Sequence, residues 1–452
     1  MHFGFEPDLP YVLYVSSIVA FFLTVFWRPV IGIYFLMPLI PLQTLRYRLN
    51  DLPLGQSVVG VMLLAVVLGL WWRGKSVLPR TPWTKFLCGY ALFTFVSLCL
   101  GSFYLGRSLP WPGDSRFSDW QGYITMPAIL LLVAAVEPTS RQMKAMVILM
   151  CLTAFALDRN FWDVVAGRDF SSFSYDLRDE GGMGYAGVNG LGAFEAQVAI
   201  LLLALAAFER KRLWQLGYVA LAIVSAICLM FTFSRGGYLA LLFGWLFLGL
   251  VKQRKLLVLL ALFVGMWTSL VPPAVQQRVL MTYDQTSGEL DHSAATRVNL
   301  WHEAMQVFDT NPLVGVGFDT YAYTEHLSNY KDTHNIYVKV LVETGILGLL
   351  IFLWLLAKTF VTSYGLFRKA RDPFLASLGL GLAGWVVSSF VANCFGDRWM
   401  YLQVNGYMWV LGGMVSRALM IEENAGTLRI ADNAAVPDPG AAQEMPQPVG
   451  VM

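Results

Sequence analysis

The chain of 452 residues is 56% hydrophobic and only 14% charged, whereas soluble domains carry about 25% charged residues. Its mean hydropathy is +0.56 and its formal net charge is only +2. These values exclude an ordinary soluble domain, and they do not favour nucleic acid as a partner. The five cysteines lie in or beside apolar segments without a CxxC or mixed Cys/His spacing. We therefore expect neither a disulfide-stapled domain nor a cysteine-based metal site.

Apolar segments follow one another along most of the chain. About 20 apolar residues in a helix span a hydrocarbon core of about 30 Å. The candidate segments are 11–26, 29–42, 56–72, 83–101, 122–137, 142–158, 187–208, 213–233, 236–251, 255–271, 338–363, 373–394 and 400–419. The first two are short and are separated by Trp27-Arg28-Pro29. The sequence therefore predicts an all-α, polytopic integral membrane protein with twelve or thirteen transmembrane helices.

Lysine and arginine mark every second connection between these segments, at 73–85, 141–144, 210–212, 252–255 and 368–371. Such connections normally stay in the cytoplasm. The alternate connections then lie outside, which in a bacterium means the periplasmic face of the inner membrane. We expect an N-terminal transmembrane bundle at 1–271, a periplasmic loop at 272–339, C-terminal transmembrane helices at 340–420 and a disordered cytoplasmic tail at 421–452.

The loop at 272–339 is the one long polar interruption, and it holds four of the five histidines. Apolar residues at helical spacing predict an amphipathic helix from Ala294 to Phe308. Asn311-Pro312 is expected to end it, and a turn is expected at Gly315–Gly317. Another outer segment, 159–186, leads into a glycine-rich stretch. We interpret that stretch as a flexible loop that enters a helix.

Three residues of this predicted outer face could carry out chemistry. Arg235 lies alone between two apolar segments, Arg297 begins the loop helix, and His334 precedes the next membrane helix. Structural roles are also open to them: an arginine that reaches the lipid headgroups, a solvated charge and a structural histidine. Arginine matches phosphate oxygens with two hydrogen bonds, and histidine can accept a proton near neutral pH. The combination indicates transfer from a lipid diphosphate, without a metal or another cofactor.

Further substrate-binding residues are predicted around these three. Glu343 lies nine residues into the helix after His334, where it either orients a substrate or forms an internal ion pair. Arg116 in the outer segment 102–121 and Asn335 beside His334 complete the predicted set. Asp397-Arg398 is a weaker candidate for the same site. No acidic residue stands at triad spacing from His334, and the other loop histidines are expected to be solvated.

Short motifs in a fixed order connect these residues. They are Ser234-Arg235-Gly236, Arg297 followed by Trp301, Asn311-Pro312 followed by Gly315 and Gly317, His334-Asn335, and Glu343 followed by Gly345 and Gly348. Together they resemble the O-antigen ligase/O-antigen polymerase superfamily, most strongly over residues 230–350.

The resemblance implies a C-type glycosyltransferase-like membrane fold with one large extracytoplasmic loop. It implies a donor glycan linked to undecaprenyl diphosphate, with Arg235 and Arg297 holding the diphosphate and His334 acting as the base. It also implies membrane lipid and a glycan, lipid or protein acceptor as partners. The N-terminal stretch from Arg28 to Gly55 is similar to members linked to exopolysaccharide or exosortase loci.

Three functions remain open on the sequence alone. The first is transfer of a glycan to an acceptor hydroxyl, as in a ligase, and the second is polymerisation of a polysaccharide repeat unit. The third is a transporter or flippase for lipid-linked glycans. A transporter should show inverted repeats, or broken helices paired across its two halves, and neither pattern is visible in the sequence.

Overall fold

The computed structural model describes residues 8–281, 292–324 and 332–435, and it describes no side chain for His292 or for residues 424–435. Within that part of the chain there are seventeen α-helices and no strand, which confirms the predicted all-α class. The helices are α1 (Leu9–Phe26), α2 (Val30–Leu39), α3 (Gln43–Tyr47), α4 (Val58–Trp72), α5 (Thr84–Tyr104), α6 (Ser115–Ala135), α7 (Ser140–Val165), α8 (Gly187–Ala206), α9 (Arg212–Phe231), α10 (Arg235–Val251), α11 (Arg254–Gly265), α12 (Trp267–Leu270), α13 (Pro273–Leu280), α14 (His292–Phe308), α15 (Ile336–Lys369), α16 (Pro373–Asn393) and α17 (Leu402–Ala435).

All thirteen predicted segments fall on helices, and the segment 255–271 is divided between α11 and α12. In the described residues, eight helices are long and apolar enough to cross a membrane: α1, α4, α5, α7, α8, α9, α15 and α16. Two further apolar helices, α2 and α10, are shorter. The predicted polytopic membrane protein is confirmed in class, and the count of twelve or thirteen crossings stays a prediction.

Helices α8 and α16 lie side by side at the centre of the bundle. They are the most buried of the eight long apolar helices, with α9, α10 and α15 packed around them. Small residues permit this close approach, because a Cβ at Gly384 would lie 2.6 Å from the Ile200 side chain. Membrane helices commonly pack through such small residues, since lipid is as apolar as a buried side chain.

The predicted continuous helix after His334 is interrupted at Gly345, which has φ 67° and ψ −172°. The segment 311–317 occupies the break. The N–H groups of Val316 and Gly317 donate to the carbonyls of Val342 and Glu343 at 3.0 and 2.8 Å. In the other direction, the N–H of Ile346 donates to Pro312 at 3.0 Å. The interruption therefore exchanges helical hydrogen bonds for bonds to an inserted loop.

The C-terminal region differs from its prediction. Helix α17 continues to Ala435, so residues 421–435 are helical and the expected disordered tail from 421 is wrong for them. Four alanines in this stretch favour a helix. Residues 436–452 of the predicted tail lie outside the described residues.

Candidate functional site

Arg235 begins α10 directly after a tight turn from α9. Phe233 takes a left-handed backbone with φ 54°, and the Ser234 side chain accepts a hydrogen bond from the Gly237 N–H at 3.4 Å. Glycine is needed opposite this turn, because a Cβ at Gly192 would lie 2.8 Å from the Ser234 Cβ. Arg235 itself is half-buried. Arg235 is therefore the first residue of a helix, and backbone N–H groups at a helix N-terminus favour an anion.

Two more arginines lie close to Arg235. Arg178 in the loop after α7 donates through Nη2 to the Asn189 Oδ1 at 2.8 Å, and through Nε to the Thr232 carbonyl at 3.3 Å. Burial, together with the charges of Arg278 and Arg235, lowers the pKa of Arg178 to about 10. The three cations therefore lie near enough to repel one another.

Arg278 reaches this cluster from α13, which packs on the loop after α7. Its guanidinium lies 4.9 Å from the ring centre of Phe173 and 5.3 Å from that of Tyr175. Only 4% of Arg278 is exposed. Cation–π contacts of this kind help to hold an arginine in place. Two aromatic rings therefore contribute to the position of Arg278 in the cluster.

Asn189 joins this group to a second pair of arginines. Its carbonyl oxygen accepts a hydrogen bond from the Arg398 Nε at 2.9 Å, while its side-chain oxygen holds Arg178. Burial lowers the pKa of Arg398 to about 10, Asp397 opposes that effect, and the charge of Arg297 adds to it. Arg297, predicted from the sequence, therefore lies near Arg398, which was only a weak candidate.

The predicted loop helix is present as α14 and supports the turn before α15. The Trp301 Nε1 donates to the carbonyl of Thr333 at 3.0 Å. Arg297 lies one turn earlier on α14 and donates to the Ser293 side chain at 3.1 Å. The spacing of Arg297 and Trp301 thus has a physical meaning, because one helix carries the cation and also fixes the backbone beside His334.

His334 has an acidic partner that the sequence interpretation missed. The Asp332 Oδ2 lies 2.7 Å from the His334 Nδ1, and the Asp332 Oδ1 accepts from the His334 backbone N–H at 3.2 Å. Burial opposes ionisation of Asp332, but His334 and Lys339 outweigh burial and lower its pKa. His334 has φ 50°, an uncommon left-handed conformation for a residue other than glycine. Its ring is 42% exposed.

Glu343 is buried on α15, close to Lys339. It is 3% exposed, and the backbone N–H groups of Asp319 and Tyr321 donate to its carboxylate. Lys339, one turn earlier on α15, lies 3.9 Å from the Asp397 carboxylate and is attracted to Glu343. The choice between an internal ion pair and a role in orienting a substrate stays a prediction.

Two other predicted residues have structural tasks. Arg116 is fully buried and donates to the Ser102 hydroxyl at 2.8 Å and to Asp114 at 3.2 Å. The Asn335 side chain caps α15 by accepting from the Tyr337 N–H at 3.0 Å and from the Val338 N–H at 3.3 Å. The predicted role of both residues in binding a substrate stays a prediction.

The loop holds other histidines besides His334. His302 is exposed, as expected, while His326 and the side chain of His292 lie outside the described residues. Among the described residues, no group of three or more His, Cys, Asp and Glu side chains is arranged to hold a metal ion.

The structure brings together five arginines and a hydrogen-bonded histidine–aspartate pair. Arg178, Arg278 and Asp332 were missed by sequence reasoning. Asp332 could have been noticed, because it stands two residues before His334. Arg178 and Arg278 carry no local signal, because their approach to Arg235 depends on the packing of distant loops. Chemically, such a site can bind a polyanion and accept a proton next to it.

Comparison with known proteins identifies one family over part of the chain. Residues 220–353 match the family model described as O-Antigen ligase. This match supports the O-antigen ligase/polymerase superfamily. This confirms the resemblance found in the motifs, and it supports ligase or polymerase activity in general, with a lipid-linked glycan and an acceptor as substrates in a membrane. No curated protein matched the chain. The matched region contains Arg235, Arg297 and His334 but not Arg178, Asn189 or Arg398.

Proposed function

We propose that this protein transfers a glycan from undecaprenyl diphosphate to an acceptor hydroxyl at the periplasmic face of the bacterial inner membrane. One observation carries the proposal: the hydrogen-bonded pair of His334 and Asp332 lies at the edge of a cluster of five arginines. The family match to residues 220–353 supports a glycosyltransferase-like enzyme. The alternation of basic connections supports the periplasmic side.

The arginines suit the donor's diphosphate group. A diphosphate carries its negative charge on several oxygens, and guanidinium groups bind such oxygens with paired hydrogen bonds. Arg235 at the N-terminus of α10 and Arg297 on α14 are the proposed direct ligands. Arg178, Arg278 and Arg398 surround them and maintain the positive field. During transfer, the bond between the anomeric carbon and the phosphate oxygen breaks, and the lipid diphosphate leaves with the electron pair. Positive charge at this position stabilises that leaving group.

His334 suits the acceptor side of the same reaction. The acceptor oxygen forms the new bond to the anomeric carbon, and its proton must be removed as it attacks. Asp332 occupies the Nδ1 side of the imidazole, so Nε2 is the atom that takes the proton. Asp332 thus serves as a positioning residue that holds the ring in one orientation. In this proposal the proton ends on His334 and the negative charge on the arginine-bound diphosphate.

The test uses the full-length protein in lipid nanodiscs, an undecaprenyl-diphosphate-linked glycan and a panel of acceptors. Wild type is compared with Arg235→Ala, Arg297→Ala and His334→Ala. The matched controls are Arg159→Ala and His302→Ala, which remove exposed side chains elsewhere. We expect loss of transfer in the first three variants and wild-type rates in the controls. Full transfer by His334→Ala overturns the base assignment.

A second measurement separates binding from chemistry. Bare undecaprenyl diphosphate should bind His334→Ala as tightly as wild type, but bind both arginine variants more weakly. Unchanged binding in both arginine variants contradicts the diphosphate clamp. The product distinguishes the two activities of the family, because a ligase moves the glycan to a different acceptor whereas a polymerase extends the glycan itself.

A further inference from the structure

Three tyrosine rings, two of them exposed and the third half-buried, lie together beside the arginine cluster. We call Tyr47, Tyr185 and Tyr401 the tyrosine patch. Tyr185 is 76% exposed, the highest value of any aromatic residue among those described. Its ring meets that of Tyr401 edge to face, with centroids 5.8 Å apart at an angle of 75°. Tyr47 is 46% exposed, and its ring lies close to Gly184, the neighbour of Tyr185. So large an exposed aromatic surface requires an explanation.

The Gln43 side chain connects the parts of the tyrosine patch through hydrogen bonds. Its side-chain oxygen accepts hydrogen bonds from the backbone N–H of Tyr185 at 2.9 Å and from the Gln403 Nε2 at 2.7 Å. Its own Nε2 donates to the Tyr47 hydroxyl at 2.6 Å. One amide thus joins α3, the turn before α8 and α17, which are far apart in the sequence. The rings are therefore arranged in advance of any ligand, which lowers the entropic cost of binding.

The tyrosine patch borders the histidine–aspartate pair. The Tyr401 hydroxyl lies 3.5 Å from the Asp397 Oδ2, and Lys339 lies 3.9 Å from the same carboxylate. Burial raises the pKa of Tyr401, and the charges of Asp397 and Asp332 raise it further. The phenol is therefore a hydrogen-bond donor at neutral pH. A ligand on the patch would reach from the exposed rings to Asp397.

From this geometry we infer that the tyrosine patch is a carbohydrate-binding subsite that holds a sugar unit next to the transfer site. A pyranose ring has an apolar C–H face and a rim of hydroxyl groups. The face of the exposed Tyr185 ring can stack against the first, while the Gln43 amide, the Tyr401 hydroxyl and the Asp397 carboxylate can bind the second. A polyprenyl chain has no hydroxyl groups to offer these polar side chains. The inference rests on the proposed function, because the sugar belongs to its donor or its acceptor.

Exposed tyrosines also occur at membrane–water boundaries, where they contact lipid headgroups. Tyr11 on α1 provides the matched control, because it is a 62% exposed tyrosine on a helix that packs mainly on α2 and α4. A boundary role predicts that Tyr11 and Tyr185 behave alike, whereas a carbohydrate subsite predicts that they differ. Tyr185→Phe keeps the aromatic face, and it should bind sugars nearly as well as wild type.

The experiment measures saturation transfer from the nanodisc-embedded full-length protein to a panel of free oligosaccharides that cover common bacterial hexoses, deoxyhexoses and heptoses. We expect at least one member to bind wild type, Tyr185→Phe and Tyr11→Ala. Tyr185→Ala should bind it at least about fivefold more weakly. Equal binding by Tyr185→Ala and wild type overturns the inference, and so does the absence of binding to any member of the panel.

Two further measurements identify the source of the sugar and test the proposed function separately from the tyrosine patch. If the patch holds the donor glycan, the glycan-loaded lipid competes with the oligosaccharide and binds Tyr185→Ala more weakly than wild type. If it holds an acceptor glycan, both bind together. Bare undecaprenyl diphosphate should bind Tyr185→Ala as it binds wild type. Loss of sugar binding with intact lipid diphosphate binding therefore tests the patch, whereas absence of lipid diphosphate binding in wild type contradicts the proposed function itself.

Discussion

The Asp332 Oδ2 lies 2.7 Å from the His334 Nδ1, although only one residue separates the two in the chain. This contact depends on the left-handed backbone of His334, with φ 50°. The carbonyl of the intervening Thr333 is held by Trp301 from α14. A strained backbone persists only where its surroundings over-determine it, and such strain occurs mainly at functional sites. The loop helix therefore supports the geometry of the proposed base.

Removal of the acidic partner should impair the chemical step rather than donor binding. In Asp332→Asn the ring loses the carboxylate that orients it, so we expect kcat to fall about 10- to 100-fold. The KM for the lipid-linked donor should stay near its wild-type value, because the arginine cluster is unchanged. Steady-state transfer kinetics test this, with the exposed Asp309→Asn as the control. A rise in KM at constant kcat would show that Asp332 instead acts in binding.

The hydrogen bond from Trp301 can be removed without removing its ring. Trp301→Phe keeps an aromatic side chain on α14 but loses the Nε1 donor to Thr333. Loss of one buried hydrogen bond costs about 1–3 kcal/mol when the acceptor stays unsatisfied. We expect slower transfer and faster hydrogen exchange in residues 332–335, while α14 stays folded. His302→Ala, on the exposed side of α14, should change neither quantity. Wild-type activity in Trp301→Phe would mean that this bond does not position His334.

The fold class could be predicted from the sequence because each apolar segment can be recognised from its own length and composition. The loop helix was also readable, since Trp301, Ala304 and Val307 repeat at helical spacing. Only some members of the arginine cluster could be predicted from the sequence. Arg235 stands out in an apolar context. Arg178 lies in a loop and Arg278 on the short helix α13, and only tertiary packing brings them to Asn189 and the Phe173 ring.

Asn189 should control the spacing of the arginine cluster. Asn189→Asp adds a negative charge in hydrogen-bonding contact with Arg178, so it competes with the diphosphate for the same cations. We expect bare undecaprenyl diphosphate to bind this variant about tenfold more weakly. Asn160→Asp adds the same charge on the exposed surface of α7 and should have little effect. Equal affinities in the two variants would argue against a role for Asn189 at the anion site.

Asp319 predicts a pH-dependent stability. Burial raises the pKa of its carboxyl to about 8, with Glu343 adding and Lys339 opposing. The folded state therefore holds a proton that the unfolded chain releases near its ordinary value of 3.8. This difference in proton binding lowers the free energy of unfolding. The reduction is absent below about pH 4, grows as the pH rises, and is complete above about pH 8. Asp319→Asn removes this pH-dependent loss of stability, and asparagine tolerates the left-handed backbone at this position.

Thermal unfolding in detergent measures this effect. We expect the Tm of Asp319→Asn to exceed that of wild type by about 2 °C or more at about pH 9. The difference should shrink towards about pH 4. Asp309→Asn, which changes an exposed side chain of the same loop, should leave the Tm unchanged at both values. A constant difference across the pH range would show that charge on Asp319 is not its cause.

Gly345 tests whether the break in α15 is essential to the fold. A Cβ at this position would overlap the Leu313 carbonyl, and the backbone has φ 67°. Gly345→Ala should therefore expel the inserted segment 311–317 and cause loss of folded protein and of transfer activity. Gly365→Ala lies on the same helix with no atom within 4 Å of its new Cβ, so it should be tolerated or slightly stabilising. Size-exclusion chromatography and transfer assays compare the two, and a well-folded, active Gly345→Ala would show that the helix can close without the loop.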